Sequence, residues 1–192
     1  MAEKNIIDER LEQIWARSRK WLEEGTFDQN MPESLEYFSR EVFPFVALKA
    51  FIKGVGKLDK KAAGIVWKEL GHACGDFELG HMALKGVKIP ATTDTEIDHF
   101  LRVYEEGENI GSGGQSTLTR EGSNTATLVF RGGRGGMRTC PLIRLLDIEA
   151  PANQHQCTCY HIKHVFETAL NRPVKVEMID MDEDSGTVRM SW

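Results

Sequence analysis

Residues 155–164 read His155-Gln156-Cys157-Thr158-Cys159-Tyr160-His161-Ile162-Lys163-His164, gathering two of the chain's four cysteines and three of its six histidines into ten positions. Thiolate and imidazole are the side chains that serve both as nucleophile and base and as metal ligands. On a helix, at roughly 100° per residue, Cys157, His161 and His164 fall at about 0°, 40° and −20°, with Thr168 next in the stripe. Ile162, Val165, Phe166 and Ala169 lie about 80–180° away, so a helix from Asn153 to Leu170 would turn its apolar side to a core and its Cys/His stripe elsewhere.

Two chemistries suit this stripe. As a nucleophile, Cys157 needs help, because an unperturbed thiol with a pKa of about 8.5 is mostly protonated at neutral pH. His161, one turn along, is placed to take that proton and then activate water. Cys140 is a second candidate nucleophile, since Pro141 opens a short expected helix, Cys140-Pro141-Leu142-Ile143-Arg144-Leu145-Leu146, whose N-terminus favours a thiolate. Just before it, Arg131-Gly132-Gly133-Arg134-Gly135-Gly136-Met137-Arg138 offers Arg134 and Arg138 as forked donors to a substrate carboxylate, or is simply a flexible basic turn. As a metal site, Cys157, His161 and His164, completed by Cys140 or His155, suit zinc first and iron or copper after it. The third reading is a packed or exposed stripe without chemistry. His72, Cys74 and His81 form a weaker cluster that reads as core, and Gly111-Ser112-Gly113-Gly114-Gln115-Ser116-Thr117 lacks the lysine and the preceding strand of a phosphate loop.

The elements that must position these residues follow from periodicity. Ile7, Leu11, Ile14, Trp15, Trp21 and Leu22 predict an amphipathic helix over 6–24 that stops at Gly25, and Pro32 predicts a second helix over 33–53 that Pro44 kinks. Asp59 is the expected cap of a third helix reaching towards Leu84, in which Gly64, Gly71 and Gly75 fit close packing. Thr93 and Glu96 have capping-box spacing for a fourth helix that ends near Gly107. Residues 115–131 alternate around Glu121-Gly122-Ser123-Asn124 as a β-hairpin. Asn171-Arg172-Pro173 ends the Cys/His helix, and a second hairpin follows, its strands joined by a turn over 182–186. This order predicts an α+β fold, one antiparallel sheet backed by helices, with an N-terminal helical region over 1–55 and an α+β domain over 56–192.

The 192 residues carry a net charge of −5 and a pI near 5.7, with basic and acidic residues mixed throughout, so nucleic acid is not expected and a small neutral or anionic ligand is. No apolar run approaches the roughly 20 residues that cross a bilayer, and the first ten residues are polar, so the expected location is the cytoplasm and the cysteines are expected as thiols or ligands. Trp15 and Trp21, on an arm ahead of an apparently complete α+β core, predict a homodimer.

Residues 137–192 resemble two related families. The Cys140-Pro141 pair, Cys157 entering a helix, and the ending Asp184-Ser185-Gly186-Thr187-Val188-Arg189-Met190-Ser191-Trp192 are similar to the L-2-amino-thiazoline-4-carboxylic acid hydrolase family. The helix, the strand with Glu177, the acidic turn with Gly186 and the final aromatic strand resemble the 4-vinyl reductase domain, a small-molecule-binding module with the fold of a TRAPP subunit. The first resemblance implies hydrolysis of a carbon–nitrogen bond, as in a cyclic amidine, in a small carboxylate-bearing substrate. The second implies small-molecule or metal binding without catalysis. Met190 and Asp182 stand where those endings carry cysteines, so the zinc site typical of 4-vinyl reductase domains is not expected here.

Overall fold

The computed structural model describes residues 6–112, 115–136, 143, 146, 148–181 and 183–192, with side chains for all of these except 110–112, 115, 132–136, 183 and 184. The chain forms two compact units. The first comprises Met1–Lys57 with Leu142–Glu149, and the second comprises Leu58–Pro141 with Ala150–Trp192. The sequence had suggested a division after residue 55.

The first unit is helical: α1 (Ile6–Glu23), α2 (Phe27–Tyr37), a π-helical stretch (Phe38–Val42) and α3 (Phe43–Val55). Gly25 ends α1 with a positive φ of 67°, a conformation that glycine adopts without strain. The second helix begins earlier than expected, so Pro32 lies inside α2 and deprives the carbonyl of Asp28 of its helical donor. The expected break at Pro44 takes the form of the π-helical stretch, after which α3 restarts with proline in its first turn. Tyr37 donates from its hydroxyl to Gln13 Oε1 at 2.6 Å, and Arg10 pairs with Glu41, tying α1 to the segment that follows it. Ile7, Ile14, Val42, Ile52 and Val55 are buried, whereas Trp15 is 54% exposed.

The second unit is built from α4 (Lys60–Leu84), α5 (Asp94–Ser112), β1 (Gln115–Arg120), β2 (Thr125–Gly136), α6 (His155–Leu170), β3 (Lys175–Met181) and β4 (Glu183–Ser191). All strand pairs are antiparallel, in the order β1-β2-β4-β3. Ala126, Leu128 and Phe130 of β2 join Val188 and Met190 of β4 in one apolar face, and Phe166 of α6 meets the Phe100 and Tyr104 rings of α5 edge-on in the same core. The fold is therefore α+β, an antiparallel sheet backed by helices.

The local signals explain the element ends. The Asp59 carboxylate accepts from the amides of Lys61 and Ala62, capping α4. Thr93 and Glu96 form the reciprocal box at the start of α5, and Lys88 first, then the Thr92 and Thr93 amides, hold the Glu96 carboxyl far below its ordinary range. Arg120 of β1 spans to Asp94 and Asp98, fastening the first hairpin to α5. Asn171 ends α6 in the left-handed conformation.

Three expected boundaries are corrected. The glycine-rich stretch Arg131–Gly136 is strand, because β2 runs on past the hairpin to pair with β4 as far as Gly136 opposite Glu183. Of the expected 182–186 turn, Glu183 to Gly186 belong to β4, where a Cβ on Gly186 would stand 2.9 Å from the Phe130 ring, and Asp182 lies outside the described residues. Finally, α5 does not stop near Gly107 but continues to Ser112, which places Glu108 on the helix.

Candidate metal centre

α4 and α6 pack so closely that their backbones nearly touch. A Cβ on Gly71 would lie 2.8 Å from the Cys157 carbonyl oxygen and 2.9 Å from the His161 amide nitrogen, and one on Gly75 would lie 2.8 Å from the His164 ring. The Cys/His stripe of α6 therefore faces α4. This contact divides the stripe among different partners.

His161 Nε2 meets Glu78 Oε2 of α4 at 2.5 Å. His164 Nε2 meets Asp76 Oδ1 at 2.7 Å, and its ring stacks on His72 of α4 with centroids 4.4 Å apart. Cys157 is 7% exposed, and burial pushes the neighbouring Cys159 thiol above its ordinary range. Cys74, Cys157 and Cys159 are thiols rather than disulfide partners. Among the described residues, the expected metal set Cys157, His161 and His164 is not gathered: one donor atom from each of Glu78, Glu108 and His161 lies within 4.8 Å of the other two, and no other three-donor group is so close. The physical reason is the glycine-lined approach of α4, whose carboxylates claim the imidazoles. Cys140 and Arg138 lie outside the described residues. Arg134 lies on β2, and its side chain is not among those described.

The three donors come from three helices. Glu78 lies three residues beyond Gly75 and seven beyond Gly71, so it continues the glycine stripe of α4 towards α6. Glu108 lies one turn beyond Tyr104 on α5. Between them, Gly107 leaves room for Glu78, whose Oε1 would be 3.3 Å from a Cβ there. The Glu78 side chain keeps 14% of its exposure and that of His161 21%, so the cluster is shielded yet reachable from solvent.

The electrostatics follow from this crowding. Burial, then the charge of Glu78, raises the Glu108 carboxyl; His161 and then the Tyr104 hydroxyl oppose these effects without cancelling them. For His161, burial favours the neutral ring, but the Glu78 hydrogen bond and the charges of Glu78 and Glu108 prevail and raise it. Tyr104 is fully buried, and its hydroxyl lies beside the Glu108 carboxyl without a well-formed hydrogen bond. Burial first, then the Glu108 and Glu78 charges, pushes its phenol well above the ordinary range. Without a cation the cluster thus favours the protonated forms of Glu108 and His161 more than either group alone would. A metal ion can displace both protons and take two carboxylates and a neutral imidazole as ligands.

Glu78 and Glu108 had not emerged from the sequence. The available signals were the stripe Gly71-Gly75-Glu78 and the Tyr104/Glu108 pair at helical spacing.

The α+β fold and the three-helix carboxylate/imidazole cluster describe the class of molecule, and comparison with known proteins adds the following. No family model matches the chain, and no curated protein matches it. A trafficking protein particle complex subunit 3 from Naegleria fowleri, solved covalently bound to palmitic acid, is similar in structure with a TM-score of 0.49 and 13% identity, over 78% of this chain and 90% of that one. No helix among the described residues is long and apolar enough to cross a membrane.

Proposed function

We propose that the protein is a small-molecule domain organised around one bound metal ion, held by Glu78, Glu108 and His161. The observation that carries this reading is the convergence of two carboxylates and an imidazole, one from each of three helices, within 4.8 Å of one another. Two shielded carboxylates at that distance repel unless a proton or a cation intervenes. Three protein ligands leave at least one coordination position for water or substrate, and a metal-bound water is a nucleophile near neutral pH. Hydrolysis of a carbon–nitrogen bond in a small carboxylate-bearing substrate is the reaction class that the hydrolase resemblance contributes. In this reading the metal-bound water replaces Cys157 as nucleophile, and His161 is a ligand instead of the thiol's base. Arg134 and Arg138 remain the proposed holders of the substrate carboxylate, and the three thiols favour a reducing, cytoplasmic location.

The test is elemental analysis of the purified chain before and after dialysis against a chelator, with cyclic amidine carboxylates as assay substrates. Roughly one equivalent of metal is expected, lost in His161→Ala and Glu78→Gln, with turnover that follows metal content. A chain that stays metal-free after exposure to transition metals, or variants that retain the full equivalent, would overturn the reading.

A further inference from the structure

Tyr104 is the one member of this neighbourhood that a three-ligand site leaves without a role. It lies on α5 one turn before Glu108, on the same helix face, and the charges that bear on its hydroxyl are those of Glu108 and Glu78. Its side chain is fully buried, and its hydroxyl has the Glu108 carboxyl beside it without a well-formed hydrogen bond. A buried hydroxyl is normally satisfied, and leaving it bare costs free energy that phenylalanine of the same shape would avoid. Phe100 and Phe166, packed against the same ring, show that this part of the core accepts aromatic rings without a hydroxyl.

We infer that Tyr104 is a fourth protein ligand, and that the Glu78/Glu108/His161/Tyr104 set is a ferric iron site. The inference rests on the metal reading above and gives that site a fourth ligand and a metal. On binding, the phenol O–H bond breaks, its proton leaves to solvent, and the oxygen lone pair forms the bond to iron. Iron stays ferric throughout. Charge balance decides between oxidation states: two carboxylates and a phenolate supply three negative charges, which a trivalent ion neutralises inside a shielded site and a divalent ion does not. Ligand hardness agrees, since three anionic oxygens and one imidazole suit a hard ion better than the thiolate-rich sets that select zinc. Four protein ligands leave two positions of an octahedral shell for water or an anionic ligand.

The experiment adds ferric nitrilotriacetate, and separately zinc, to the metal-free full-length chain and to Tyr104→Phe. The wild type should take up iron and show a visible phenolate-to-iron charge-transfer band. Tyr104→Phe should still fold, since it keeps the buried ring and removes only a hydroxyl that makes no well-formed hydrogen bond. It should lose the band, with ferric affinity falling roughly 10–100-fold and zinc affinity unchanged. Iron bound without a visible band, or a band that survives in Tyr104→Phe, would overturn the assignment of Tyr104 while leaving a three-ligand site intact. Failure of both metals to bind the wild type would overturn the site itself.

Discussion

Glu78 and Glu108 favour the protonated form of His161, and burial, then Glu78, favours the protonated form of Glu108. Both groups bind protons more tightly folded than unfolded. Their contribution to stability is therefore fully present below the ordinary values, 6.5 for histidine and 4.5 for glutamate, and is lost as pH rises through the raised values. Metal binding at the proposed site would reverse this dependence, because it would displace those protons. In thermal melts of the metal-free protein, this cluster's share of stability should fall from mildly acidic to mildly alkaline pH, while the increase in Tm on adding metal should grow over the same range. A metal-induced shift that is independent of pH, or that shrinks as pH rises, would count against proton displacement. His161 was legible in the sequence because its residue type is rare and its neighbours are reactive. Glu78 was not, since a lone acid on an amphipathic helix carries the same signature as a solvated one. Glu108 was hidden by Gly107, which was read as a helix stop but sits within α5 and leaves space for the Glu78 side chain.

The glycines of α4 set the site's geometry, because they determine how near α6 can come. Gly71→Ala places a methyl against the Cys157 carbonyl and the His161 amide, both backbone atoms that cannot swing aside. It should cost about 1–3 kcal/mol by overpacking, less the small gain in helix propensity, and should weaken metal binding by moving His161 away from Glu78. Gly80, with nothing within 4 Å of an added Cβ, is the control: Gly80→Ala should leave binding unchanged and stability equal or slightly higher. Denaturant unfolding of the two variants beside metal titration checks this, and equal behaviour would show that the glycine contact does not position the site. Helix existence, the Asp59 cap, the Thr93/Glu96 box and the first hairpin's turn were legible because each depends on a few adjacent residues. The extension of β2 through Gly136 was not, because β4 supplies its partners from about fifty residues away in sequence.

At the scale of the whole molecule, the class of fold could be read from the succession of helices, hairpin, helix and hairpin, whereas the grouping of Leu142–Glu149 with the N-terminal helices could not, because no periodicity encodes so distant a contact. Trp15, Leu22, Leu35, Phe43 and Phe51 of the first unit are exposed, which supports the proposed homodimer; light scattering should give twice the chain mass, and Trp15→Glu should lower it. A monomer across the micromolar range would end that proposal. The central claim is the metal's position, and anomalous diffraction at the metal's absorption edge, from crystals of the loaded protein, tests it most directly. One anomalous peak is expected within bonding distance of the Glu78 and Glu108 carboxylates and the His161 imidazole. A peak on Cys157 and His164, or no peak in crystals grown with excess metal, would contradict it.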